Sequence, residues 1–347
     1  MMIFDNQSES HINGIEDYDI ADSQRLTLFK KPIYSLLFLI CVEVIIVAKN
    51  KAFGNKSTTN YFIYSLAVSD LIVGVMVMPT GIICFITDDW IFGQLWCEIW
   101  QTFDLFSCTA SILNLCAISL DRYWAISEPL NYTIKMKKTY VTLLILSIWV
   151  VSAFVTLPPM IWNRILQQNS CDPHSCECHS LAVHPPYVIF LTTTTFFIPL
   201  VLMSFVNYRT YRIAVKQIYA IYSENSPKKT SVPLRHITSV EKQKASKKRS
   251  RSLQIIQKQF KVTKTLGIVM GCFVVCWMPY FLVYSLDSFC KPCIKNSNTV
   301  IPITLWLGWL NSGMNPIIYT CLSKKFRKSA ALLLMCKSQQ TPLAITN

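Results

Sequence analysis

Charge is what this chain has least of. Asp, Glu, Lys and Arg make up 15% of its 347 residues, while 52% are hydrophobic. A soluble domain carries about a quarter charged residues, so an ordinary soluble globule is excluded. A Gly-rich phosphate loop, a zinc-hydrolase motif and an internal repeat are also missing, and no nucleophile–base set recurs, which argues against an enzyme. The first residues have no basic start followed by an apolar core, so no cleavable signal peptide is expected.

What is present instead is long apolar runs. Windows of 17 or more mainly apolar residues fall at about 32–48, 61–86, 98–120, 140–162, 186–206, 266–286 and 300–321. Each is long enough to cross a bilayer as a helix. The expectation is an all-α membrane protein, a bundle of seven transmembrane helices over 30–322.

The basic residues orient it. Segments 49–56, 135–138, 209–264 and 324–337 hold 3, 3, 15 and 5 Lys or Arg, 26 of the 33 in the chain. In a seven-span arrangement all four fall on one side, which should be cytoplasmic. Residues 1–29 carry six acids against Arg25 and form a disordered extracellular N-terminus. The net charge of +14 is thus loop charge beside anionic lipid, not a nucleic-acid surface. Residues 217–258 are expected to be a mostly disordered cytoplasmic loop, with 223–252 rich in Ser, Lys, Arg and Pro. Within 323–347, Phe326, Ala330, Leu333 and Leu334 recur at helical spacing beside Lys and Arg, the pattern of a short amphipathic helix on the inner leaflet.

Of 14 cysteines, Cys97, Cys171, Cys176, Cys178, Cys290 and Cys293 fall in outer segments, where disulfides persist. With His174 and His179 some of them look metal-like, but disulfide use fits the outer face better. Six cysteines pair in fifteen ways, and sequence alone leaves that open. Asn6 heads an outer glycosylation sequon, and Cys336 follows the amphipathic stretch as a palmitoylation candidate.

Pro79, Pro158, Pro159, Pro199, Pro279 and Pro316 sit in or near spans and predict kinks. Acids inside spans are costly and mark function: Glu43 in the first, Asp70 in the second and Asp104 in the third. From Asp104 to Arg122 is 18 residues, five whole turns and roughly 27 Å of helix rise. One helix face therefore carries an acid at one membrane depth and a guanidinium at the other, with Ser111 near the same line.

LAVSD around Asp70, WCEIW with Cys97, SLDRYWAIS, FFIP around Pro199, FVVCWMPYF around Trp277 and WLGWLNSGMNPIIY ending at Tyr319 occur in order. Together they resemble the rhodopsin-like (class A) G-protein-coupled receptors, and within them the biogenic-amine group of serotonin, dopamine, octopamine–tyramine and trace-amine receptors. The resemblance implies a plasma-membrane receptor for a small monoamine. It implies heterotrimeric G proteins, arrestin and receptor kinases as partners beside membrane lipid, and no cofactor apart from an allosteric sodium ion.

It also implies roles. Asp104 would be the counter-ion of the amine, with Trp277, Tyr280, Phe281, Tyr284, Trp306 and Trp309 as aromatic walls and Cys108 and Thr109 on the pocket floor. Thr192 and Thr195 would bond a ring hydroxyl or indole NH; the plainer alternative is that each bonds its own helix carbonyl. Leu191 stands where many catecholamine receptors have a serine. Cys97 would pair with Cys178, leaving Cys171–Cys176 and Cys290–Cys293. Asp70, Ser111, Asn311 and Asn315 would hold sodium. Asp121, Arg122 and Tyr123, the core of Ile112, Pro199 and Phe273, and Pro316 with Tyr319 would form the switch.

Some positions depart from the family pattern. Glu43 stands at or next to the place of the first-span asparagine. Gln259 replaces an acid that restrains the arginine, so raised ligand-free signalling is expected. Asn207 replaces a tyrosine, with Tyr208 next door, and Trp309 replaces the tyrosine that often bonds the amine-binding acid. Competing readings are a class A receptor with a non-amine ligand or constitutive signalling, and a transporter or channel. An opsin is disfavoured because 299–321 lacks lysine.

Overall fold

The computed structural model describes residues 58–87, 89–166, 178, 185–224, 239–290, 293–294 and 297–322. The first span with Glu43, Asn6, Cys171, Cys176, Cys336 and the segment 323–347 lie outside the described residues. So do the side chains of Gln259, Pro316 and Tyr319.

The second span is α1, Thr59–Thr87. The third is α2, Gly93–Ser127, followed by the short α3, Pro129–Lys135. The fourth span is α4, Lys138–Leu166. The fifth, α5, runs from Pro185 to Glu224, the sixth is α6, Ser239–Phe289, and the seventh is α7, Ser297–Leu322. No strand occurs among the described residues. Five of these helices, α1, α2, α4, α5 and α6, are long and apolar enough to cross a membrane.

Local sequence explains the punctuation. Gly93 opens α2 at φ 76°, a left-handed conformation that glycine adopts without strain. At the other end Glu128 leaves the helical region, as the clash with a following proline favours, and Pro129 starts α3 where no N–H is needed.

Two of the expected proline kinks take a specific form. Pro79 and Pro199 each lack an N–H and press on the carbonyl four residues earlier, Val75 and Thr195. Both of those residues lie in π turns, Val73–Val77 in α1 and Thr193–Phe197 in α5. The wider turn absorbs the clash and changes the angular register of everything on its outer side.

Helix α2 is the hub, packing against α1, α4, α5 and α6, while α6 and α7 lie along one another. In its most apolar window 61% of residues are buried, against 17% in α4. The outward residues of α4 and α5, among them Leu143, Phe154, Val201 and Phe205, are apolar and exposed, as a lipid-facing surface requires.

Helical structure reaches into the segment 217–258 from both sides, and 225–238 lie outside the described residues. Helix α5 continues to Glu224 and α6 already begins at Ser239. The stretch 239–258 is rich in Lys, Arg and Gln, with neither Gly nor Pro. Lys, Arg and Gln are good helix formers, so they prolong α6 instead of breaking it.

Candidate functional site

Towards the outer end of the bundle, α2, α5, α6 and α7 enclose a cavity of about 230 Å³. Asp104, Leu105 and Cys108 line it from α2, with Trp100 and Gln101 one turn further out. Leu191, Thr192 and Thr195 contribute from α5, Trp277, Tyr280, Phe281 and Tyr284 from α6, and Ile301 and Leu305 from α7.

Cys178 closes the outer side, held to Cys97 on α2 by a disulfide with 5.6 Å between Cα atoms. The Gln101 amide donates to both sulfurs, at 3.2 Å to Cys178 and 3.3 Å to Cys97. A second disulfide joins Cys290 and Cys293 just after α6.

Among the described residues the carboxylate of Asp104 has one partner. Its Oδ1 accepts from the Trp309 indole at 2.8 Å, and among the described residues no Lys, Arg or His pairs with it. Trp309 is almost fully enclosed, set edge-on to Trp100 and to Trp306 at 6.0 and 4.8 Å between ring centroids. Trp306 thus supports Trp309 and stands behind the cavity wall. On the α6 side, Tyr280 and Tyr284 stack at 5.5 Å, and Phe281 stacks on Phe196 at 4.4 Å above Trp277. The backbone of Gly308 lies flat against Trp277, where a Cβ would come within 2.8 Å of the ring.

The hydroxyls behave differently from the simplest expectation. Thr109 turns its proton to the Leu105 carbonyl at 2.7 Å and is not part of the lining, because a helical threonine has that acceptor always at hand. Thr195 donates to Leu191 O at 2.8 Å and Thr192 to Ile189 O at 3.3 Å, while Ser285 on α6 donates to Thr192 at 3.4 Å. Both lining threonines therefore offer lone pairs to the cavity.

Deeper, Asp70 is fully buried and accepts from Asn315 Nδ2 at 2.8 Å, with Ser312 beside the same carboxylate. Ser111 bonds Ser69 at 2.9 Å. Asp70 Oδ1, Asn311 Oδ1 and Asn315 Oδ1 are buried acceptors without a donor among the described residues. Such a set of hard oxygens around one carboxylate fits a small cation.

Below it, Ile112 and Phe273 are fully enclosed and Pro199 is buried, its carbonyl accepting from Cys116. Asn207 crosses from α5 to Ser119 on α2 at 3.2 Å and also touches Met270 on α6. Tyr208 points outward and accepts from Arg212 at 2.9 Å, so it takes no part in that junction.

At the inner end Asp121 is saturated. Arg122 reaches it with Nη2 at 2.6 Å, Thr59 donates at 2.7 Å, Thr58 at 3.3 Å and Tyr132 of α3 at 2.6 Å. Tyr123 is half-buried. Burial, and then the Asp121 charge, raise the Tyr132 phenol above its ordinary value of 10.0, which keeps it a donor. Outside this web, the Lys135 ammonium bonds Glu128 at 2.7 Å and holds that exposed carboxylate below the usual range.

Sequence reasoning missed Trp100 and Gln101, although they lie four and three residues before Asp104 on the same helix face and spacing alone would have found them. It also missed Ile301 and Leu305, which precede Trp309 by eight and four residues. No local signal points to Ser285, Thr58, Thr59 or Tyr132.

The family described as "7 transmembrane receptor (rhodopsin family)" matches residues 40–319. "Dopamine receptor 2" of Drosophila melanogaster is 33% identical over 355 residues, which cover 81% of this chain and 65% of that protein. "D(1) dopamine receptor" of Carassius auratus is 38% identical over 314 residues, 86% of this chain and 84% of its own length. "Octopamine receptor beta-1R" of Drosophila melanogaster is 31% identical over 320 residues, 89% of this chain and 62% of its own. The chain thus spans a little under two thirds of the length of both Drosophila relatives.

Proposed function

The chain belongs to the rhodopsin family of seven-transmembrane receptors, and from that premise we propose that it is a plasma-membrane receptor for a biogenic monoamine, signalling through heterotrimeric G proteins. One observation carries the amine: the Asp104 carboxylate lines an aromatic cavity with a single neutral donor and no cation among the described residues. A charge in low dielectric gains most from a cationic partner, and an alkylammonium supplies it. The rings of Trp277, Tyr280 and Tyr284 add cation–π attraction and stack a flat ring. At about 230 Å³ the cavity lies just below the range of about 300–1,000 Å³ for small-molecule sites, so it suits one small ligand and not a peptide.

At the far end Thr192 and Thr195 have committed their protons to helix carbonyls and accept only. A single ring O–H or an indole N–H suits them, and Leu191 offers nothing to a second hydroxyl. An amine of the serotonin, tyramine or trace-amine type is a better fit than a catechol.

Binding energy acts by favouring the active bundle over the resting one. The resting form is the one in which Asp121 holds Arg122; releasing that arginine exposes it to the G protein. Asp70, Ser111, Asn311 and Asn315 would hold a sodium ion that stabilises the resting bundle. The N-terminus faces outward and the basic loops inward, where arrestin, receptor kinases and anionic lipid would meet them.

The test is a panel of monoamines on cells reporting cAMP and calcium, with native receptor and Asp104→Ala at equal surface density. At least one amine should act on the native receptor and lose its effect on the variant. Unchanged responses to every amine would leave a receptor for some other ligand, or a constitutive one.

A further inference from the structure

Resting on the amine reading, we infer that Gly81 on α1 is a positioning residue for Asp104, acting through Trp309. A Cβ at Gly81 would stand 2.7 Å from Cη2 and 2.8 Å from Cζ3 of Trp309, and 3.5 Å from Cζ2 of Trp100. Real Cβ atoms do not approach so closely, so any side chain here displaces the indole.

The indole has no room to yield. It is 2% exposed, and its two edge-on neighbours are themselves fixed. Trp100 donates through Nε1 to the Val77 carbonyl at 2.9 Å. Trp306 closes the other side and touches Phe85. The ring is rigid, so a push on its benzene edge is delivered to Nε1, the atom bonded to Asp104 at 2.8 Å.

The π turn Val73–Val77 explains how a glycine comes to face that ring. It changes the register of α1 just before Pro79 and Gly81, so the bare backbone of the helix becomes the seat of the indole. Tryptophan at 309 and glycine at 81 are then one device. The large ring brings a donor to the carboxylate without adding an acceptor that would compete for the ammonium, and the missing side chain makes room for it.

A double-mutant cycle separates this from a general packing role. Native receptor, Gly81→Ala, Trp309→Phe and the double variant are compared for surface density and for potency of tyramine, serotonin and dopamine. Gly81→Ala should weaken whichever of these acts by about tenfold, the usual effect of losing a hydrogen bond to a charged group. In the Trp309→Phe background, where the smaller ring leaves space and the donor is already gone, the same change should cost almost nothing. If Gly81→Ala alone fails to reach the surface, recovery in the double variant supports the same coupling. Equal losses in both backgrounds, no loss in either, or absence of both variants from the surface would overturn it. An Asp104→Asn arm keeps the two readings apart: if it leaves potency unchanged, the amine reading falls and takes this one with it. If Asp104→Asn abolishes the response while the Gly81 losses add, only the role of Gly81 is lost.

Discussion

Asp104 and Asp121 lie 17 residues apart on one helix and live in opposite circumstances. Asp121 accepts from Thr58, Thr59, Tyr132 and Arg122, so its charge is spent inside the protein. Among the described residues Asp104 has the Trp309 indole alone, beside aromatic rings that cannot neutralise it. Burying a carboxylate is costly in both places, but only at the inner end does the protein itself offset the cost. On the proposed reading, the number of donors the fold supplies distinguishes a carboxylate kept for an outside partner from one that fastens the bundle.

The sharpest way to break this contrast is at the outer end. Asp104→Ala should cost about 2–5 kcal/mol of amine binding, or roughly thirtyfold to several-thousandfold in concentration dependence, with surface density preserved. Gly81→Ala, described above, comes next on that side.

At the inner end the effect should appear without any ligand. Asp121→Asn keeps the shape but removes a charge-assisted contact worth about 1.5–3 kcal/mol, so agonist-free signalling should rise at equal surface expression. A rise in the Asp104 variant and none here would reverse the assignment. Tyr132→Phe takes away one of several donors, about 1 kcal/mol, and should raise the basal signal by less than Asp121→Asn does. Lys135→Ala should change neither potency nor basal level measurably. The Lys135–Glu128 pair is half in solvent, and exposed pairs contribute little.

Much of the outer site was legible because helix periodicity and chemistry act locally. Asp104, Cys108, Tyr280, Phe281 and Tyr284 were assigned from the family resemblance that the motifs carry, and the resemblance also marked the indole of Trp309 as the available substitute for a tyrosine beside Asp104. The inner web was not legible. Thr58 and Tyr132 reach Asp121 from 63 and 11 residues away, around a loop and a short helix whose path no motif announces. The threonines were a genuine ambiguity, since a helical hydroxyl can serve a ligand or its own backbone, and the rotamer decides. In the segment 217–258 composition alone does not set where the helices end: Lys, Arg and Gln suit a solvated loop and a helix alike, and α5 runs to Glu224 while α6 starts at Ser239.

The sequence by itself determined that this chain crosses a bilayer, which loops are basic, and where the costly acids lie, because lipid tests each segment on its own apolarity and charge. Only the tertiary structure decided which acid stays open and which is closed. The Asp104–Trp309 bond joins residues 205 apart, and the Gly81 backbone meets the same indole from a third helix. Whether a buried charge is satisfied depends on what other helices bring to it, and that is a property of packing that no single segment carries.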